Sequence, residues 1–114
     1  MPYFMMETNK KLDEATKQDL LKKMSTFVAN LLGKPEKYIM ISINTGSAMI
    51  FDGNTYTTAY VTLKSIGLAK EKCSEYSSRI CDFIQKELGI PCDRVYIDFG
   101  NIDSKMFGWN KDTF

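Results

Sequence analysis

The stretch LGKPEKYIMISIN (residues 32–44) returns in altered form as LGIPCDRVYIDFG (residues 88–100). Leucine, glycine and proline recur 56 residues apart (88 − 32 = 56), which is close to half of the 114-residue chain. Glycine readily takes the left-handed conformation in which many helices end, and a proline two residues later cannot continue the helix. An apolar segment follows each proline. The repeated stretch therefore predicts a helix end and a following strand at two places in the chain.

The segments before each copy carry apolar residues at the spacing of a helix, and Asp13 is a candidate N-cap of the first helix. An apolar strand precedes each helix, at residues 2–8 and 58–64, and further strands follow at 38–43 and 94–99. The apolar helical residues are Leu20, Leu21, Met24, Phe27, Val28, Leu31 and Leu32 in the first segment and Cys73, Tyr76, Ile80, Phe83, Ile84 and Leu88 in the second.

The resulting unit is strand–helix–strand, and the chain contains it twice. Because crossover connections are right-handed, the two strands of one unit are parallel. Two units side by side predict an α+β fold (an α/β two-layer arrangement), in which a four-stranded mixed sheet carries two helices on one face. We expect a single domain over residues 1–114, with a pseudo-repeat of 2–45 and 58–101.

Alternation along the strands sorts their side chains between the two faces of the sheet. The offset of 56 residues places Pro2, Phe4 and Met6 on the second, mixed face. Because two helices cannot cover both faces, we predict an oligomer, with Pro2 facing the assembly and not the helices. The aliphatic face comprises Ile39, Ile41, Ile43, Ala59, Val61, Leu63, Val95, Ile97 and Phe99, and the mixed face Tyr38, Met40, Ser42, Tyr60, Thr62, Tyr96 and Asp98.

The composition excludes several classes of function. Lys and Arg (15) balance Asp and Glu (14) without a block of like charge, which argues against binding to nucleic acid or a membrane surface. No apolar run reaches the ~18 residues of a membrane span. The first residues lack the features of a signal peptide, so we expect a cytoplasmic protein. The chain has no histidine, which excludes Ser-His-Asp and Cys-His catalysis. Its 3 cysteines lack C-x-x-C spacing and indicate neither a disulfide framework nor a zinc ribbon.

Proline directly after Met1 allows two interpretations. The first is geometric, since proline gives no N–H to a sheet and is tolerated at the first residue of a strand. The second is chemical, since removal of Met1 would leave Pro2 with a free secondary amine. Without histidine, acid–base chemistry near neutral pH must come from a perturbed carboxylate, Lys, Tyr or Cys, or from the α-amine.

Six segments together form a specific combination: Pro2 after Met1, Thr8-Asn9, GKPEKYI (33–39), SIG (65–67), DRVYI (93–97) and GWNKDTF (108–114). In this order and spacing they resemble the macrophage migration inhibitory factor family of the tautomerase superfamily. The resemblance covers the whole chain. It implies a homotrimer in which each subunit has two βαβ units and three sheets surround a central channel.

The resemblance also implies keto–enol tautomerisation at a site between subunits, with the N-terminal proline as the catalytic base. The expected substrates are small aromatic keto acids or quinones of the phenylpyruvate, hydroxyphenylpyruvate and dopachrome type. An apolar pocket and a nearby ammonium would lower the pKa of an α-amine from its ordinary ~7.7–8.0. No metal or organic cofactor is required. Carried over to this sequence, the base is Pro2 and the substrate-binding residues are Lys34, Ser65, Ile66 (through its backbone N–H), Tyr96 from the adjacent subunit, Asp98, and Phe107 and Trp109 in the pocket wall.

Three positions depart from the family pattern. Asp98 stands where asparagine is common, and its carboxylate would repel that of an arylpyruvate, so we predict weak activity on phenylpyruvate. Thr58 and Val61 replace the C-x-x-C linked to a thiol–disulfide activity, which makes an oxidoreductase improbable. Asp52 replaces a usual glycine of a turn.

Three functions remain open at this stage. The first is a tautomerase that uses Pro2. The second is a cytokine-like ligand of a cell-surface receptor with a vestigial pocket, secreted by a route without a signal peptide as relatives are. The third is an oligomeric βαβ ligand-binding module.

Overall fold

A computed structural model describes all 114 residues. Its strands and helices, in chain order, are β1 Tyr3–Thr8, α1 Glu14–Leu32, β2 Met40–Asn44, β3 Ala59–Ile66, α2 Cys73–Leu88, β4 Val95–Ile102, β5 Gly108–Trp109 and β6 Asp112–Thr113. Short 3-10 turns lie at Glu36–Tyr38, Lys70–Lys72, Cys92–Arg94 and Ser104–Met106.

The main sheet has the strand order β2-β1-β3-β4. Within each unit the strands are parallel, β1 with β2 and β3 with β4, and an antiparallel pairing of β1 with β3 joins the units at the centre. The side chains that α1 and α2 bury form one core cluster with those of the strands. The predicted four-stranded mixed sheet with two helices on one face is therefore confirmed. Strands β5 and β6 form a separate hairpin that the sequence analysis did not predict.

The first helix begins, and both helices end, where the sequence predicted. The Asp13 carboxylate accepts a hydrogen bond from the Thr16 N–H at 2.7 Å, which satisfies one of the free donors at the start of α1. Gly33 and Gly89 follow the two helices with φ of 64° and 70°, the left-handed region that glycine enters at low cost. Both helices are thus ended by the repeated glycine.

The sequence-based prediction placed Phe4 and Met6 of the first strand on the wrong face of the sheet. Phe4 and Met6 are fully buried and lie opposite Leu63 and Val61, so they point towards the helices. Pro2, directly before the strand, is also fully buried within the chain, and its orientation towards an assembly stays a prediction. The helical segments keep the offset of 56 residues, because Glu14–Leu32 corresponds to residues 70–88 when the 3-10 turn before α2 is included. The connection before them does not: the buried Thr8 lies six positions before its helical segment (14 − 8 = 6), whereas the buried Ser65 lies five positions before its own (70 − 65 = 5). In a strand, a shift of one residue exchanges the two faces.

The face of the sheet opposite the helices is aromatic and uncovered. Tyr96, Tyr60 and Met40 expose 61%, 37% and 67% of their surface, which is high for residues in a sheet. Tyr3 and Met5 take the places on this face that had been assigned to Phe4 and Met6. An open face of this kind is expected to meet another protein surface, and the homotrimer stays a prediction.

The segment between the two units contains one tight turn. Phe51 and Asn54 pair across Asp52 and Gly53, whose φ angles are 53° and 72°. Asp-Gly is a favoured pair for a turn with both central residues in the left-handed region. Asp52 therefore fits a place where a glycine had been expected. Neither helix combines the length and the apolar character needed to span a membrane.

Candidate active site

Pro2 lies immediately before β1, between the adjoining strands β2 and β3. Its carbonyl accepts a hydrogen bond from the Met40 N–H at 3.1 Å, which ties the start of the chain to β2. Its ring is fully buried. A proline is accommodated at this point because the strand begins one residue later, at Tyr3, and needs no N–H from it.

Lys34 approaches this point from the end of α1. The Lys34 N–H donates to the Ala29 carbonyl at 3.1 Å, a bond of the type that closes helices ending in a left-handed glycine. This backbone conformation directs the side chain towards the end of β3. There the ammonium donates to the Ser65 hydroxyl at 2.9 Å and to the Ile66 carbonyl at 2.7 Å. Two of the three donors of Lys34 are therefore occupied by β3.

The ammonium of Lys34 also acts on the N-terminal amine. The pKa of the α-amino group, here on Met1, is lowered from its ordinary 8.0, first by burial and then by the charge and hydrogen bond of Lys34. Burial likewise lowers the pKa of Lys34, and the hydrogen bond to the N-terminus opposes that change. Two cations close together in a partly apolar site are unfavourable, so the weaker base loses its proton first. The arrangement favours an uncharged amine beside a charged lysine.

A cleft of about 520 Å³ opens beside the N-terminus. One side is formed by the backbone around Pro2 and β2, and the other by the C-terminal residues of the chain. The cleft also has two cations, Lys37 and Lys64. Its apolar lining comprises Met1, Pro2, Tyr3, Tyr38, Ile39, Met40, Ile102, Phe107, Trp109 and Phe114.

The aromatic wall is held together by ring contacts. Trp109 stacks on Phe114 at 5.5 Å with an interplanar angle of 10°, and Tyr38 meets both rings edge-on at 5.5 and 6.3 Å. Phe107 lies 5.9 Å from Phe114. The hairpin of β5 and β6 carries Trp109 to this position, and its two turn residues, Asn110 and Lys111, both have positive φ.

The structure therefore brings together six of the eight residues that were assigned to the site from the sequence. Lys34, Ser65 and Ile66 form one hydrogen-bonded group, and Phe107 and Trp109 line the cleft that Pro2 borders. The Ser65 side chain faces Lys34 and is 1% exposed, so it positions the lysine and is not itself open to a ligand.

Tyr96 and Asp98 lie elsewhere in the same chain. Along the sheet Tyr96 is aligned with Tyr60 and Glu7, at the end of β1 opposite to Pro2. Asp98 accepts a hydrogen bond from the Tyr60 hydroxyl at 3.1 Å, and that bond raises the pKa of Tyr60. Within one chain, these two residues are therefore outside the cleft.

Most residues that line the cleft had not been assigned to the site from the sequence, among them two aromatic residues, Tyr38 and Phe114, and two cations, Lys37 and Lys64. Tyr38 had been assigned to the open face by strand alternation, but it belongs to a 3-10 turn, where that alternation does not apply. Phe114 is the last residue. The sequence signal for it was that a third aromatic residue follows closely after Phe107 and Trp109.

Comparisons of the sequence and of the structure with known proteins point to the same family. The sequence model described as "Macrophage migration inhibitory factor (MIF)" matches residues 1–114. The chain is 38% identical over 115 aligned positions to the macrophage migration inhibitory factor homolog of Trichinella spiralis, covering 100% of both chains. It is 38% identical to the homolog of Brugia malayi, covering 100% of this chain and 99% of the other. The crystal structure of the homologue from Prochlorococcus marinus superposes with a TM-score of 0.90 at 41% identity over 98% of both chains.

Proposed function

Because this chain belongs to the macrophage migration inhibitory factor family, we propose that it is a keto–enol tautomerase whose catalytic base is the nitrogen of Pro2, freed by removal of Met1. The observation that carries the proposal is the position of Lys34, whose ammonium is held by Ser65 and the Ile66 carbonyl and lowers the pKa of the amine that begins the chain, here that of Met1. We expect the same effect on the Pro2 amine after Met1 is removed. A lowered pKa leaves a larger fraction of the amine uncharged, and in that form it can accept a proton from carbon.

The base would act on a carbon next to a carbonyl group. Pro2 would remove the proton from that carbon, and the electrons of the C–H bond would move towards the carbonyl oxygen to form an enolate. The proline nitrogen would then return the proton to the oxygen to give the enol. The same steps in reverse would convert an enol into the ketone. A base positioned in this way contributes about 10²–10⁴-fold to the rate.

Lys34 would stabilise the developing negative charge. Its ammonium is held by Ser65 and Ile66, which leaves its third donor for the amine, and its charge attracts an anion bound beside it. Since these partners are in place before a substrate binds, little reorganisation is needed as charge develops. The lysine therefore has two roles in the proposal: it lowers the pKa of the base and it stabilises the enolate.

The cleft suits a small aromatic keto acid such as phenylpyruvate. Tyr38, Trp109 and Phe114 offer aromatic surfaces to a ring, and Lys37 and Lys64 carry charges that attract a carboxylate. A cleft of about 520 Å³ is of the size that small-molecule ligands occupy. A quinone of the dopachrome type would be a second substrate. A relative that is 29% identical over 112 positions is named D-dopachrome decarboxylase-B of Xenopus laevis.

Tyr96 and Asp98 would complete the site from a neighbouring copy. Both lie on the uncovered face of the sheet, far along it from Pro2. We therefore include the homotrimer in the proposal, with the open faces brought together so that β4 of one subunit approaches the cleft of the next.

The test is an absorbance assay of phenylpyruvate tautomerisation on the wild type and two proline variants. Pro2→Gly replaces the secondary amine, and we expect a loss of 100-fold or more, on the order of the contribution of a general base. Pro91→Ala is the control, because this proline is exposed and lies outside the cleft. Equal activity of Pro2→Gly and wild type would refute the base, and an inactive wild-type protein that still binds a receptor would favour the cytokine-like alternative.

A further inference from the structure

Two of the three cysteines meet on the surface of the protein away from the cleft. Cys81 lies in α2 and Cys92 in the 3-10 turn that leads into β4. The Cys81 sulfur is 4.0 Å from the Cys92 carbonyl oxygen. The Cys92 thiol donates to Gln85 Oε1 at 3.2 Å, one helical turn after Cys81. The turn thus places Cys92 against the same side of the helix as Cys81.

The side chain of Cys92 also affects the ionisation of Cys81. The pKa of Cys81 is raised by burial, and then by the negative charge and the hydrogen bond of the Cys92 side chain. The groups that also face Cys81 are Ser77, whose hydrogen bond opposes this change, and Asp82, whose charge adds to it. Both cysteines are partly exposed. The hydrogen bond between the Cys92 thiol and Gln85 is exposed, whereas the contact between the Cys81 thiol and the Cys92 carbonyl is partly buried. Cys92 is therefore the thiol that a reagent in solution meets first.

We propose that Cys81 and Cys92 are a modification site that forms a reversible intramolecular disulfide by exchange with a small-molecule disulfide of the glutathione class. The Cys92 thiolate attacks one sulfur of the reagent, so that its S–S bond breaks and one glutathione thiolate leaves. The Cys81 thiol then loses its proton to solvent and attacks the Cys92 sulfur of this mixed disulfide, and the second glutathione leaves as thiolate. The two cysteines are oxidised, and one glutathione disulfide is reduced to two thiols.

The bond would join α2 to the start of β4. It would close the segment from 81 to 92, which contains the end of α2, Gly89 and Pro91. The strand that follows carries Tyr96 and Asp98 on the open face of the sheet. The site is independent of the Pro2 chemistry, since neither cysteine lines the cleft beside Pro2.

Cys73 serves as an internal control. It lies at the start of α2, where its thiol donates to the Ala69 carbonyl at 3.6 Å. Cys73 precedes Cys81 by eight residues (81 − 73 = 8), which corresponds to about 12 Å along the helix axis. It has no partner thiol and is expected to stay reduced or to carry one glutathione.

The experiment treats the folded full-length protein with oxidised glutathione and measures its intact mass and its tryptic peptides without reduction. Trypsin separates the three cysteines into the peptides 73–79, 80–86 and 87–94. We expect a loss of two hydrogen atoms and a cross-link between 80–86 and 87–94, at a rate independent of protein concentration. Cys81→Ser should stop at a stable mixed disulfide on Cys92, and Cys73→Ser should form the cross-link like wild type.

Three results would overturn the proposal. One is a wild-type protein that accumulates the mixed disulfide on Cys92 without closing the bond. Another is a cross-link that involves 73–79 as often as 80–86. The third is a rate that rises with protein concentration, which would indicate bonds between chains. Circular dichroism of each variant excludes unfolding as the cause, and Cys81→Ala provides a second variant if Cys81→Ser does not fold.

Discussion

The side-chain nitrogen of Lys34 lies 2.9 Å from the hydroxyl oxygen of Ser65, a residue that is 1% exposed. Together with the bond to the Ile66 carbonyl, it holds the Lys34 ammonium beside the N-terminal amine. The buried hydroxyl therefore fixes the position of the positive charge in the proposed active site. The first three predictions below depend on this bond.

Ser65→Ala should weaken both stability and catalysis. The substitution leaves a part-buried ammonium with one acceptor fewer, and a hydrogen bond to a charged group is worth about 1.5–3 kcal/mol. We expect the free energy of unfolding to fall by about 1–2 kcal/mol in urea denaturation. The tautomerase kcat should fall several-fold, because Lys34 is no longer fixed. Ser74→Ala, at an exposed position of α2, is the control and should change neither quantity appreciably.

Lys34→Gln should move the pH dependence of the enzyme upwards. Burial and the Lys34 charge both lower the pKa of the Met1 amine below its ordinary 8.0, and we expect both to act in the same direction on the Pro2 amine after Met1 is removed. Removing the charge leaves only burial, so the inflection in the pH profile of kcat/KM should rise towards 8.0 without reaching it. An inflection that stays in place or falls in Lys34→Gln would contradict the electrostatic role of the lysine.

The same shift predicts how stability depends on pH. The folded protein binds the proton of the α-amine less tightly than the unfolded chain does, so the unfolded chain holds more protons between the two pKa values. The contribution of this group to stability is therefore least favourable below the folded pKa and improves as pH rises to the unfolded value near 8.0. Urea titrations of wild type and Lys34→Gln across this window should show a smaller rise in the variant.

Asp98→Asn should improve the binding of arylpyruvates. At the proposed site between subunits, the Asp98 carboxylate would face the carboxylate of the substrate. Removing one repulsion of about 1 kcal/mol in a solvated site corresponds to about a fivefold lower KM. Asp82→Asn, on the exposed side of α2, is the control of equal charge change. A KM for Asp98→Asn that is unchanged or higher would rule out the repulsion.

Lys111→Gly should stabilise the C-terminal hairpin. Asn110 and Lys111 have φ of 51° and 68°, and a left-handed conformation costs a residue with a Cβ about 1–2 kcal/mol. Asn-Gly is the favoured pair for this turn. We expect a gain of up to about 1 kcal/mol, followed through the fluorescence of Trp109, the single tryptophan. Lys111→Ala keeps the Cβ and should bring no such gain.

The fold could be predicted from the sequence because the repeat preserves the features that determine local structure. Gly33 and Gly89 end the helices through the same left-handed conformation, and the strands that follow them are in phase. The phase is lost in front of the helices, because the connection from the buried Thr8 to its helical segment is one residue longer than the connection from the buried Ser65 to the segment that begins at Lys70. Alternation has a period of two, so an odd difference moved Phe4 and Met6 to the wrong face.

The site could be predicted only in part, because its members come from distant parts of the chain. Lys34 and Ser65 are 31 residues apart and meet only after β3 has been placed beside β1. Phe114 reaches Tyr38 through the hairpin of β5 and β6, whose turn has neither glycine nor proline at its centre. Without those residues the turn gave no sequence signal.

The most direct test compares phenylpyruvate tautomerisation by two forms of the chain, each verified by intact mass and by its oligomeric state. One form has lost Met1 and begins with Pro2, and the other carries one alanine inserted before Pro2, which turns the proline nitrogen into an amide. The proposed chemistry predicts activity in the first form and a loss of at least about 100-fold in the second. Equal activity in two equally folded forms would show that the Pro2 nitrogen is not the base.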